Sequence, residues 1–281
     1  MGLVADNIVL GVKWYAGNDE LSVTIKEVDT KNARTKRFIL SVIASIWDPL
    51  GMCAAFVLMG RLIFQSVVRL KLGWDETIQD PQLQKRWNHW LSQVNECEKI
   101  VVGRNVFPSK PLENCCLVGF SDGTSCGVVY LRWFNDTETE VEVKFIAAKG
   151  KVGAINGNTV PRMELCGGLT LARLMHSAKT TLGDLCQRSL LCTDSSTVLT
   201  WINSEAIKYR PYVKNKIIEI QDLHPVREWR YVPGNKNKAA DMISKGCEAK
   251  DLNIIIIGPE ILKIPFSEWP NLQKDADVTD E

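Results

Sequence analysis

The chain has 281 residues, 45% of them hydrophobic and 24% charged, with a formal net charge of +1. This is an ordinary globular balance, long enough for one large or two modest domains. So small a net charge excludes a globally basic nucleic-acid-binding protein, and any electrostatic footprint has to be local.

Nine cysteines are present, none in CxxC spacing, and no Cys/His cluster has zinc-finger spacing. Cys116, Cys126 and Cys192 lie in apolar runs and read as small buried hydrophobes in a reducing compartment. The start, Met1 to Asp6, has neither a basic nor an apolar leader region. The most apolar stretch, Phe38 to Phe64, is broken by Asp48, Pro49 and Arg61 and is too interrupted to span a bilayer. The expectation is a soluble intracellular protein with no membrane partner.

In chain order, Ile8–Trp14 and Leu21–Ile25 flank a turn-rich linker and predict a β-hairpin. Thr35 to Trp47 repeats apolar residues at helical spacing, from Phe38 to Ile46, and Asp48-Pro49-Leu50-Gly51 breaks the pattern. Ala54 to Leu72 and Pro81 to Val94 predict two more helices. From about residue 100 the pattern changes to strands: 115–120, 127–133 and 141–147. A helix over 161–179 follows, with Pro161 suited to its first turn. Then come a buried strand at 188–193, helices at 195–202 and 212–223, a short strand at 228–232 and a last helix at 238–244. Three strands in hairpin succession, then alternating helices and strands, predict an α/β fold: a mixed five-stranded sheet with flanking helices. Residues 274–281 are polar and read as unstructured.

Four carboxylates fall at element ends: Asp122, Glu164, Asp194 and Asp241. Singly, each has a plain explanation. An Asp before Ser-Ser and a helix is ordinarily an N-cap, and Asp122-Gly123 is an ordinary turn. Together they predict a cluster of like charges, which costs stability unless a cation sits among them. A hard divalent ion with oxygen ligands suits such a set, which suggests metal-assisted phosphodiester hydrolysis. A second candidate is Lys208 to Lys216, where Tyr209, Arg210, Lys214, Asn215 and Lys216 interleave basic, polar and aromatic groups as strand-tracking surfaces do. The plain alternative there is a solvated helix face anchored by a tyrosine. Trp201 has core spacing with Leu199 and Ile202. His89, His176 and His224 have no metal-ligand spacing.

The segments Phe120–Arg132, Val160–Leu165, Cys192–Ile202, Tyr212–Gln221 and Trp229–Asp241 resemble the RNase H domain of Bel/Pao-type LTR retrotransposon polyproteins, the Pao retrotransposon peptidase family. Thr35–Gly51 resembles the thumb/connection region of its reverse transcriptase, Leu10–Trp14 the end of the palm, and Gly258–Leu262 with Ser267–Pro270 the stretch before the integrase.

The resemblance implies an RNase H-like domain over 106–250, after a palm remnant over 1–30 and a helical thumb/connection segment over 31–105. Residues 251–281 would be a tail before a missing integrase region. It also implies that Asp122, Glu164, Asp194 and Asp241 hold two Mg²⁺ ions, replaceable by Mn²⁺, and cut the RNA strand of an RNA–DNA hybrid. Gly123, Thr124, Ser125, Arg162 and Ser195 would line the substrate path. A separate polymerase or integrase part of the element is a further implied partner. The implied location is cytoplasmic, nuclear or in retroelement particles. No Tyr-x-Asp-Asp is present, so the chain is no polymerase by itself. Tyr231 stands where many RNase H domains carry a histidine, and an ordinary phenol does not exchange its proton near neutral pH. The alternative from another class is a catalytically lapsed relic that binds nucleic acid or protein.

Overall fold

The computed structural model describes residues 7–9, 11–26, 34–123, 125–153 and 159–270. It divides into two compact units, Met1–Asn105 with Lys245–Ile256, and Val106–Ser244 with Ile257–Glu281.

The first unit holds an antiparallel sheet in the order β1 (Asn7–Val9), β2 (Val12–Tyr15), β3 (Glu20–Val23), β4 (Val102–Gly103). The first predicted strand is split in two. Gly11 takes φ 77° and Val9 turns back to pair with Val12, a conformation that glycine adopts without steric cost.

Three helices follow: α1 (Lys36–Ser45), α2 (Ala54–Arg69) and α3 (Pro81–Leu91). Their starts are chemically marked. Thr35 accepts from the Phe38 amide, and Asp80 caps α3 ahead of Pro81. The Asp48 break serves as an anchor, its carboxylate accepting from the Met52 and Cys53 amides at 2.9 and 2.7 Å. Phe56 stacks on Trp90 at 4.8 Å, and Trp90 on Trp87 at 5.0 Å.

The second unit is built on a five-stranded mixed sheet. Its strands are β5 (Asn114–Asp122), β6 (Cys126–Phe134), β7 (Val141–Lys149), β8 (Ser189–Thr193) and β9 (Trp229–Tyr231), in the order β7-β6-β5-β8-β9. The β5-β6-β7 meander is antiparallel, while β8 runs parallel to both β5 and β9. The helices are α4 (Val160–Leu182), α5 (Ser196–Asn203), α6 (Pro211–Leu223) and α7 (Lys238–Lys245). This is the element order that the sequence pattern predicts.

One face of the sheet packs on α4, whose Leu165, Leu169, Ala172 and Met175 share a core with Leu117, Leu191 and Trp229. Helix and hairpin meet backbone to backbone, because a Cβ on Gly127 would lie 3.0 Å from the Leu171 Cα.

The other face is covered by the chain's last described stretch. Arg132, fully buried, donates to the Leu262 and Ile264 carbonyls at 2.8 and 3.0 Å and pairs with Glu138 at 2.7 Å. Trp269 stacks against Phe120. The sequence-based segmentation treats 251–281 as one tail. In the structure, residues 257–270 complete the second unit's core and residues 245–256 belong to the first unit. Leu262 and Trp269 are the apolar side chains that have to be buried. Residues 271–281 lie outside the described residues.

Candidate active site

In the parallel pairing of β5 with β8, Ser121 stands opposite Thr193. The next residue on each strand is an aspartate. Asp122 and Asp194 therefore sit side by side at the carboxyl ends of neighbouring strands, which are spaced about 5 Å apart.

Asp194 is free of the capping role that its position suggests. Ser195 is the N-cap of α5, accepting from the Val198 amide at 3.1 Å. The same hydroxyl donates to Glu164 Oε2 at 2.7 Å.

Glu164 lies just beyond the first turn of α4, because the helix opens at Val160. The helix dipole contributes little at that position. What brings Glu164 to the strand ends is the close approach of α4. A Cβ on Gly167, one turn on, would overlap the Asp122 carbonyl oxygen.

Asp241 lies in the first turn of α7. That helix is tied to the same edge, since Ser244 Oγ donates to Asp122 Oδ2 at 2.6 Å and the Cys126 thiol donates to the Ala240 carbonyl at 3.3 Å.

The electrostatics report the crowding. Burial first, then the Asp122 charge, and more weakly Glu164, push Asp194 up to about 6 against an opposing hydrogen bond from Asn237. The Cys126 thiol is pushed well above its ordinary range by burial and then by the charges of Asp122, Asp194 and Asp241. One buried thiol thus feels three aspartates.

Asn237 is fully buried. Its amide nitrogen donates to the Ser121 carbonyl at 2.9 Å, while its Oδ1 has no partner. The donor set is hard oxygen throughout, which suits a divalent cation such as Mg²⁺. As the side chains stand, Asp122 and Glu164 close on serines. Among the described residues no three His, Cys, Asp or Glu side chains form a group that could hold a metal ion.

The other expected site residues divide. The Gly123 amide donates to Asp122 Oδ1 at 2.6 Å, and Ser125 takes φ 58° at the end of the β5–β6 turn. Thr124 lies outside the described residues. Ser195 is only 6% exposed, with its hydroxyl engaged in both directions within the protein. It holds Glu164 rather than facing a substrate.

Arg162 and Lys216 both lie over the Tyr212 ring, at 5.3 and 4.4 Å from its centre, and the Cys166 thiol stands 3.3 Å from the Tyr212 hydroxyl. Asn215 and Arg210 are exposed. Tyr209 packs on Trp201 at 6.0 Å, which is the anchoring role of the plain alternative. Lys214 is two residues from Tyr212, about 200° around the helix, and so points away from the Arg162–Tyr212–Lys216 cluster.

Sequence reasoning missed Asn237, Ser244 and Gly167. Ser244 was findable, since it sits three residues after Asp241 on one helical face. The role of Gly167 depends on how closely two backbones approach.

A family model described as Pao retrotransposon-like RNaseH-like domain matches residues 35–195, more than half of the chain. The chain belongs to this family. The sheet order and flanking helices of its second unit are RNase H-like. No curated protein matches. Among solved structures, RNase H1 from Halobacterium salinarum is 16% identical, with 46% of this chain and 93% of that one covered and a TM-score of 0.28. An N-terminal RNase H domain from Mycobacterium tuberculosis is 15% identical, with 47% and 91% covered and a TM-score of 0.29. Among the described residues, no helix of this Pao-family chain is long and apolar enough to cross a membrane.

Proposed function

We propose that the second unit is a metal-dependent ribonuclease H that hydrolyses the RNA strand of RNA–DNA hybrids. Asp122, Glu164, Asp194 and Asp241 would hold the ions. The observation that carries this reading is the placement of Asp122 and Asp194 side by side at the ends of parallel β5 and β8, with α4 and α7 packed against the same edge. Burial and like charges at the end of parallel strands are costly, and a bound cation would remove that cost. Mg²⁺, with Mn²⁺ as a substitute, would activate the attacking water and stabilise the leaving oxygen.

The chain's own groups do the rest. Ser195 orients Glu164, Ser244 and the Gly123 amide orient Asp122, and Asn237 steadies Asp194. Arg162, Tyr212 and Lys216 would contact the hybrid backbone. Arg210 and Asn215 are further candidates for that surface. Tyr231 in place of the usual histidine predicts reduced turnover. A separate polymerase or integrase part of the element would be the protein partner.

The test is a labelled RNA–DNA hybrid incubated with the chain in Mg²⁺, in Mn²⁺ and in chelator, beside Asp194→Asn. Metal-dependent cutting of the RNA strand, absent from the variant, supports the enzyme. Hybrid binding without cleavage, equal in both proteins, overturns it.

One observation favours a second reading, a lapsed hybrid-binding or protein-binding module. Among the described residues no three acidic, His or Cys side chains stand ready to clasp an ion. The same assay separates the two.

A further inference from the structure

At the opposite end of β8 from Asp194, the second unit has a pocket of about 230 Å³. It is lined by Arg188, Arg227, Arg230, Ser189, Glu228 and Phe266, among others. Five residues of strand separate Ser189 from Asp194, on the order of 16 Å at 3.3 Å per residue. Arg230 pairs with Cys192, two residues short of Asp194, but the alternation of the strand turns it to the sheet face away from α4 and Glu164.

Three arginines lining one pocket repel one another and ordinarily recruit carboxylates. Here none of the three has an ion pair with a carboxylate among the described residues. Arg230 Nη1 donates to the Arg227 and Trp229 carbonyls at 2.7 and 2.8 Å, which fixes the guanidinium without neutralising it. Arg188 stands 5.8 Å from the centre of the Phe134 ring.

The one acid in the lining is already engaged. Glu228 accepts from Ser189 Oγ at 2.7 Å, faces His224 Nδ1 at 3.0 Å and pairs with Lys179 at 3.3 Å. The pocket thus keeps an excess of fixed positive charge in a chain whose net charge is only +1.

We propose that Arg188, Arg227 and Arg230 form a phosphate-binding pocket that takes the phosphate of a nucleotide, free or within a nucleic-acid strand. Guanidinium forks match phosphate oxygens bidentately. The space is large enough for a phosphate and its sugar, and it is lined on one side by Phe266, whose ring already carries the Arg132 guanidinium 4.3 Å from its centre. This site is separate from hydrolysis and needs no metal.

The test uses the full chain in chelator, so that loss of cleavage at the carboxylates cannot affect it. A fluorescent twelve-residue thymidine oligonucleotide is titrated at several salt concentrations against wild type, R188Q/R227Q/R230Q and R188K/R227K/R230K. All three arginines are exposed, and circular dichroism checks that the variants fold.

The glutamine variant should bind at least tenfold more weakly at low salt. Its log–log salt slope should fall by about 0.7, the amount for the one single-strand phosphate that is no longer neutralised. The lysine variant should keep most of the slope. A second arm titrates uridine monophosphate and inorganic phosphate while following the arginine side-chain NMR signals. Shifts there without oligonucleotide binding assign the pocket to a free nucleotide or phosphate. Identical oligonucleotide affinity and slope in wild type and glutamine variant, together with unmoved arginine signals, overturn the proposal.

Discussion

Ser195 donates a 2.7 Å hydrogen bond to Glu164 while accepting one from the Val198 amide. A single hydroxyl therefore both starts α5 and aims a carboxylate carried by α4. Ser195→Ala removes both. It should cost about 1–2 kcal/mol of stability from the missing cap and the missing buried hydrogen bond, read as a lowered urea midpoint. In the hybrid-cleavage assay it should lower kcat more than KM, because Ser195 orients a group without touching substrate. Ser195→Thr, which keeps the hydroxyl, should restore most of both. If alanine and threonine variants are equally active, the orienting role is refuted.

Gly167 is the point where α4 comes closest to the end of β5. A side chain there has no room against the Asp122 carbonyl, and the obstacle is backbone, so no rotamer change relieves it. Gly167→Ala would ordinarily favour a helix by up to about 1 kcal/mol. Here it should destabilise by about 2 kcal/mol or more through overpacking and shift Glu164 away from the aspartates. Gly168, next in the helix, has nothing nearer than 3.5 Å to an added Cβ. Gly168→Ala should be near neutral, and thermal melts of the two variants should therefore diverge in sign or clearly in size.

Asp194 offers a sign test for the cation reading. Its carboxyl is raised from 3.8 to about 6, so its ionisation opposes folding. That cost is absent below about pH 4 and complete above about pH 6. In chelator at pH 8, Asp194→Asn should then be more stable than wild type, by about 1–2 kcal/mol after discounting for solvent screening. Adding Mg²⁺ should stabilise wild type by mass action and leave the variant nearly unchanged. A variant that melts below wild type in chelator would show that the carboxylate is held by favourable bonds instead.

Much of this arrangement is legible in the sequence because it is local. Alternating and apolar runs, the Pro-led helices and the Asp-Pro-Leu-Gly break all mark elements by period and cap. The carboxylates stand out because each ends or opens an element. What stayed hidden depends on packing between distant segments. Gly167 looks like any small residue in a helix until the hairpin is placed against it. Ser195 reads as a polar contact until α4 places Glu164 on its hydroxyl. The stretch around Leu262 and Trp269 has no periodicity of its own, and only the buried Arg132, whose guanidinium needs carbonyl partners, shows why it packs on the sheet. Arg227 and Arg230 are near neighbours in sequence, but Arg188 is about forty residues away and joins them only through the parallel pairing of β8 with β9.

Glu228 gives a pH prediction independent of the carboxylate edge. Burial alone would raise its carboxyl, but hydrogen bonds from His224 and Ser189 and the Lys179 ammonium outweigh it and hold it down at about 2, against an ordinary 4.5. His224 is itself 1% exposed, and its Nε2 lies 3.1 Å from the Ala172 carbonyl on α4. The network thus fastens the end of α6 and the start of β9 to α4. A depressed carboxyl contributes stability that is present above its unfolded value and lost as protonation sets in. The contribution should be full above about pH 4.5 and fade as pH falls toward 2. Glu228→Gln keeps the shape but removes the charge, and should cost about 1–3 kcal/mol at pH 7 by leaving Lys179 and His224 under-paired. Urea midpoints of wild type and variant, measured from pH 7 down to pH 2.5, should converge across the acid limb. A gap of constant size over that range would mean that the loss is one of packing and not of charge.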